Sequence, residues 1–134
     1  MINEGNRTEY FLYFGTKNPK GFSKMKESMW RADPVAGRVF SDLTDARQEV
    51  LLEAEADLTR LGNLLQHRFR GRGAVAIEEV EEFVLKETPY SESIHLKRRT
   101  LAPMEEEKLI AVQAKPGRKR RRGTYPPGTR LTFL

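Results

Sequence analysis

The sequence predicts an α+β fold, and three features carry that reading. Apolar residues recur at helical spacing in three stretches between residues 45 and 109, broken by glycine or proline. Two short strand-like runs follow, Ile110–Ala114 and Arg130–Leu134. Between them, Lys115-Pro116-Gly117-Arg118-Lys119-Arg120-Arg121-Arg122-Gly123 puts six cations into the eight residues 115–122. Helix, strand, basic loop, strand is the order of a winged helix-turn-helix, three helices plus a β-hairpin wing. A short strand–helix appendage and a long helix are expected ahead of it.

Residues 10–14, Tyr-Phe-Leu-Tyr-Phe, form an unbroken apolar run and predict a strand buried on both faces. Such a strand needs sheet neighbours, and few are near in sequence. Thr16 to Gly21 reads as loop. Phe22, Met25, Met29 and Trp30 then give a short helix ending near Asp33-Pro34. Residues 34–44 read as linker, so the expected domains are 1–43 and 44–134. Leu51, Ala54, Leu58, Leu61 and Leu65 fall at spacings of three and four, which predicts a long helix from about Asp45 to Phe69. Arg70-Gly71-Arg72-Gly73 ends it. Ile77, Val80, Phe83 and Val84 mark the next helix, with Glu78, Glu79, Glu81 and Glu82 in its early turns, where carboxylates suit the helix dipole. Thr88 or Ser91 caps a third helix, with Pro89 in its first turn. It is expected to bury Ile94, Leu101, Met104 and Leu109, and to kink or break at Pro103.

Composition narrows the chemistry. With no cysteine there is no disulfide, thiolate metal site or cysteine nucleophile. The histidines, His67 and His95, stand in different segments, so no metal or other cofactor is expected. No apolar run reaches the roughly 20 residues of a membrane span, and the N-terminus has no signal-peptide pattern. A cytoplasmic location is expected. Residues 95–134 hold eleven Lys/Arg against three Asp/Glu, a net +8, whereas residues 1–94 net −3. A mildly acidic body with a basic end focuses a field on anions, although a solubilising tail would give the same count.

The second and third helices are separated by only a few residues around Thr88–Ser91, which is helix-turn-helix spacing. The solvent-facing candidates on the third helix are Ser93, His95, Lys97, Arg98 and Arg99, which can bond base edges or phosphates. Arg118, Lys119, Arg120, Arg121 and Arg122 of the loop are the expected phosphate or minor-groove contacts. Mutual repulsion predicts a mobile loop in the free protein. Against this stand blander readings: a solvated helix face, a disordered loop, RNA binding or a targeting signal. The glutamate groups 78–82 and 105–107 read as helix faces, and no nucleophile–base–acid set is visible. Asn18-Pro19 shares two residues with the Asn-Pro-Pro-aromatic motif of amino-group methyltransferases. Lys20 and Gly21 occupy its last two positions, so no catalytic role is expected.

Two segments together carry a family likeness. Tyr10 to Gly21 with Met25-Lys26-Glu27-Ser28-Met29-Trp30 resembles a late segment of the three-Cys-motif partner family. Ala76 to Tyr90, Leu101-Ala102-Pro103-Met104-Glu105 and Arg122-Gly123-Thr124-Tyr125-Pro126 resemble the GMT-like winged helix-turn-helix of its C-terminal part. Two positions depart from that pattern: Ala76 where a hydroxyl cap is expected, and Lys108 where glycine often precedes the wing strand. The resemblance implies a partner protein bearing three cysteines and a methyltransferase-like domain upstream. This chain would hold only that domain's final strand and helix. The expected function is therefore double-stranded DNA binding, non-catalytic by itself. The alternative is a protein-interaction module that docks a three-Cys-motif protein or a separate catalytic subunit. Such a module could also form a homodimer through the Leu51, Leu58, Leu65 face.

Overall fold

The computed structural model describes residues 13–35, 37 and 56–134, and the chain divides into two compact units, Met1–Ala56 and Asp57–Leu134. It is α+β, with helices and a three-stranded antiparallel sheet among the described residues.

In the first unit, helix α1 spans Pro19–Ala32. Asn18 is its N-cap: its side chain accepts the Lys20 N–H at 2.9 Å, and Pro19 opens the first turn. Asn18-Pro19 is thus a helix start, and Pro19–Gly21, expected as loop, is helical. Tyr13 and Phe14 lie in no strand and are exposed, 90% and 51% respectively. The two-face-buried strand expected there is not formed at these residues, and 10–12 lie outside the described ones. Trp30 is buried, and Gly37 (φ +66) lies so close that an added Cβ would stand 2.6 Å from the indole.

The second unit opens with α2 (Leu58–Phe69), capped by the Asp57 carboxylate, which accepts the Arg60 N–H at 3.1 Å. Ala56 and Asp57 are not helical, so the long helix expected from Asp45 does not run through to Phe69. A side chain that caps N–H groups favours a helix start over a helix interior. Leu51 and Ala54 lie outside the described residues. Leu61, Leu65 and Phe69 are buried within the unit, so Leu65 is not available to a second copy as a dimer face requires. Gly71 and Gly73, both left-handed, turn the chain into strand β1 (Ala74–Ala76), an element that sequence patterning does not announce.

Helix α3 (Ile77–Glu87) follows without a break. Ala76 supplies no side-chain cap; instead the Ile77 N–H donates to the Thr129 carbonyl at 2.9 Å. Its C-terminus is closed by Thr88, whose Oγ1 donates to the Val84 carbonyl at 2.7 Å. After Pro89 and Tyr90, which lie in the turn, comes a π-helix, Glu92–Leu101, and then the short α4, Ala102–Glu106. The break expected at Pro103 is present as this change of pitch. The Ala102 N–H still bonds five residues back, to Lys97, and proline, which has no N–H, follows.

Strands β2 (Ile110–Gln113) and β3 (Arg130–Phe133) pair antiparallel, with Val112 opposite Leu131. β1 pairs on the other side of β3, Val75 opposite Leu131, giving the order β1-β3-β2. The core is Leu61, Leu65, Phe69, Ile77, Val80, Val84, Leu96, Leu101 and Leu131, all almost fully buried. Phe69 stacks on Phe133 with ring centroids 5.5 Å apart and meets the edge of Phe83 at 5.4 Å. Burying each large side chain contributes about 1.5–3 kcal/mol. Leu109, expected inside, is 41% exposed because its residue lies beyond α4, at the mouth of β2.

Candidate nucleic-acid interface

The turn between α3 and the π-helix is tightly bonded. Tyr90 is buried and its hydroxyl donates to the Asp57 carbonyl at 2.8 Å. Burial, with the nearby Asp57 charge, pushes its phenol up despite Arg60. Ser91 holds the N-cap position, but its hydroxyl meets that of Ser93 at 3.0 Å, and its N–H donates to Nδ1 of His95. His95 is therefore a core residue, 2% exposed and edge-on to Tyr90, and the expectation that it faces solvent is wrong. The reason is helical pitch. Among residues 92–101 the buried ones are His95, Leu96, Thr100 and Leu101, a spacing of five. An α-helical count of three and four turns the wrong side outward.

The other residues expected on this helix divide into three groups. Ser93 and Arg98 are exposed. Lys97 pairs with Glu81 of α3 at 2.5 Å, tying the two helices together across the turn. Arg99 is half-buried and lines a cleft of about 340 Å³ with Leu58, Thr59, Gln66 and Met104.

The β2–β3 loop is not the loose basic run expected from charge repulsion. Three turns fold it, and each follows the same design. Lys115-Pro116-Gly117-Arg118, Arg121-Arg122-Gly123-Thr124 and Pro126-Pro127-Gly128-Thr129 each close with an N–H to carbonyl bond of 3.0–3.1 Å. Each has glycine third with φ between +74 and +84. A positive φ at that position is the mark of a type II turn, and proline second suits it. The loop is also fastened to the helices at two carboxylates. Glu78 accepts the Gly128 N–H at 2.6 Å. Glu105 of α4 accepts the Gly123 N–H at 3.2 Å, the Tyr125 hydroxyl at 2.9 Å and two N–H groups of Arg120.

These bonds sort the loop cations. Arg120, expected as a phosphate contact, is directed inward instead: its side chain is 13% exposed, paired with Glu105 and set 5.7 Å from the centre of the Tyr125 ring. Arg118, Lys119, Arg121 and Arg122 are exposed. Burial alone would push the Glu105 carboxyl up, but the bonds from Arg120, Tyr125 and Gly123 and the guanidinium charge outweigh it, and its pKa is lowered. Burial and then the Glu105 hydrogen bond push the Tyr125 phenol well up.

Glu105 is hidden in the sequence because it stands among Glu105, Glu106 and Glu107 and reads as one more surface acid. The signal that distinguishes it is its place four residues after buried Leu101, on the apolar side. No group of three or more metal-ligating side chains occurs among the described residues, and no described helix is long and apolar enough to cross a membrane. Residues 57–134 hold sixteen Lys/Arg against ten Asp/Glu, a net +6, while residues 1–56 net −1. Comparison of the chain with protein-family models, with curated proteins and with solved structures finds no match.

Proposed function

We propose that residues 57–134 form a winged helix-turn-helix that binds double-stranded DNA, non-catalytically and in the cytoplasm. The π-helix would enter the major groove, and the β2–β3 loop would serve as the wing on the phosphate backbone or minor groove. One observation carries this reading. The positive charge of the unit is gathered on a folded hairpin loop with four exposed cations between residues 118 and 122, in the same compact unit as a helix pair whose second member exposes Ser93 and Arg98. A solubilising tail needs no such turns and no carboxylate fastenings.

The test is titration of labelled duplex DNA, single-stranded DNA and RNA at about 50 and about 200 mM salt, the range over which phosphate contacts are felt most. Five exposed cations, Arg98, Arg118, Lys119, Arg121 and Arg122, give a log–log salt slope of about −4.5 if each neutralises one phosphate. Duplex is expected to bind more tightly than the single strands. A slope near zero, or preference for RNA, refutes the reading.

The exposed Tyr13, Phe14 and Phe22 of the N-terminal unit favour a second reading, a surface for a partner protein such as the three-Cys-motif protein of the family likeness. A stable complex or dimer by light scattering, together with indifference to DNA at low salt, would place this reading first.

A further inference from the structure

Resting on the DNA-binding reading, we infer that Glu105 is the positioning residue of the basic loop. An acid beside a phosphate-binding surface has the wrong sign for attraction, so its contribution must be geometric if it helps binding. Its carboxylate side chain is 11% exposed and gathers three loop residues at once: Gly123 through the main chain, Tyr125 through the hydroxyl, and Arg120 through both ends of the guanidinium. Arg120 in turn donates to the Thr124 carbonyl at 3.2 Å. Residues 120 and 123–125 are thereby held on both sides of Arg121 and Arg122. Those two side chains are left on the exposed side of the turn, with Arg118 and Lys119 just before them. Bidentate pairing fixes direction as well as distance, which a single lysine contact would not. The loop thus gives up one guanidinium to an internal bond, and the other four cations between residues 118 and 122 gain a fixed arrangement.

Positioning and simple electrostatics predict opposite signs, so the test is direct. Glu105→Gln removes a negative charge and releases Arg120. If charge alone mattered, duplex affinity would rise and the salt slope would steepen by about 0.9. If Glu105 positions the loop, affinity falls about tenfold, the loss expected when roughly two phosphate contacts are no longer in register. The double variant Glu105→Gln, Arg120→Gln has one cation fewer than the single variant but restores a neutral hydrogen-bonded pair. It is expected to bind more tightly than Glu105→Gln. Hydrogen exchange at the Gly123 amide should quicken in the single variant and slow again in the double.

Unchanged or tighter duplex binding by Glu105→Gln overturns the inference while leaving DNA binding intact. Absence of salt-dependent binding by the unaltered protein overturns both. Should Glu105→Gln not fold, Glu105→Asp keeps the charge and withdraws the carboxylate by one methylene. Weakened binding by that variant supports positioning, and unchanged binding overturns it.

Discussion

Replacing Arg118, Lys119, Arg121 and Arg122 together by Gln, with Arg120 left in place, is the sharpest perturbation of the proposed interface. The structure sets the magnitude. These four side chains are exposed, whereas Arg120 is spent on Glu105. Each cation that no longer neutralises a phosphate takes about 0.9 from the salt slope, so the four together bring it from about −4.5 to about −0.9. Over a fourfold rise in salt, wild-type affinity should fall about 150-fold more than that of the variant. Fluorescence anisotropy with a labelled duplex, at several salt concentrations between about 50 and about 200 mM, measures this. Circular dichroism should be unchanged, because the loop's three turns rest on main-chain bonds and on the Glu78 and Glu105 carboxylates. A slope that does not move refutes the assignment of the loop to the DNA backbone. A residual slope of about −1.8 would place the retained Arg120 on the DNA alongside Arg98.

Lys108 is the non-glycine residue of left-handed backbone among the described ones, φ +60. Lys108→Gly relieves about 1 kcal/mol of that conformation, and for a unit of this size the thermal midpoint should rise by about 4–8 °C. A midpoint unchanged or lowered would mean that the strain is absent in solution. Glu105 also predicts a pH dependence. Its lowered pKa contributes stability that is fully present above the ordinary carboxylate range and is lost as pH falls through the lowered folded value. The gap in thermal midpoint between wild type and Glu105→Gln should be widest near neutrality and shrink below about pH 4. A gap that stays constant down to about pH 3 would show that the carboxylate charge does not hold the loop.

Much of the second unit is legible in the sequence because periodicity and punctuation agree there. Val80 and Val84 with the glutamates before them announce α3, and the β2–β3 pair flanks its loop as expected. What is illegible has specific physical causes. β1 is three residues long, Ala74-Val75-Ala76, and runs straight into a helix, so no alternation can be seen. Its existence depends on β3, far along the chain. His95 is assigned to the wrong face because the helix around it repeats every five residues, a pitch that no count of threes and fours detects. Counting like charges predicts a mobile basic loop only as long as Glu105 is left out. A carboxylate that reaches the loop from fifteen residues upstream leaves no local pattern. In the first unit, Tyr13 and Phe14 have strand-forming side chains but no strand, since propensity without a partner strand does not make a sheet. Ala76 leaves α3 without a side-chain cap, and Lys108 holds a conformation that suits glycine.

The position of β3 between its neighbours bears on the order of assembly. Ile110 pairs with Phe133, 23 positions away, but Ala74 pairs with Thr132 across 58. The longer closure costs about 0.8 kcal/mol more in chain entropy, so the β2–β3 hairpin should form before β1 docks on it. The same asymmetry runs backwards on opening. A three-residue strand held at long range is the first part of the sheet to fray, and its release leaves the hairpin paired. The loop that bears the charge therefore belongs to the early-forming, late-melting part of the sheet, and transient opening at β1 need not disturb it.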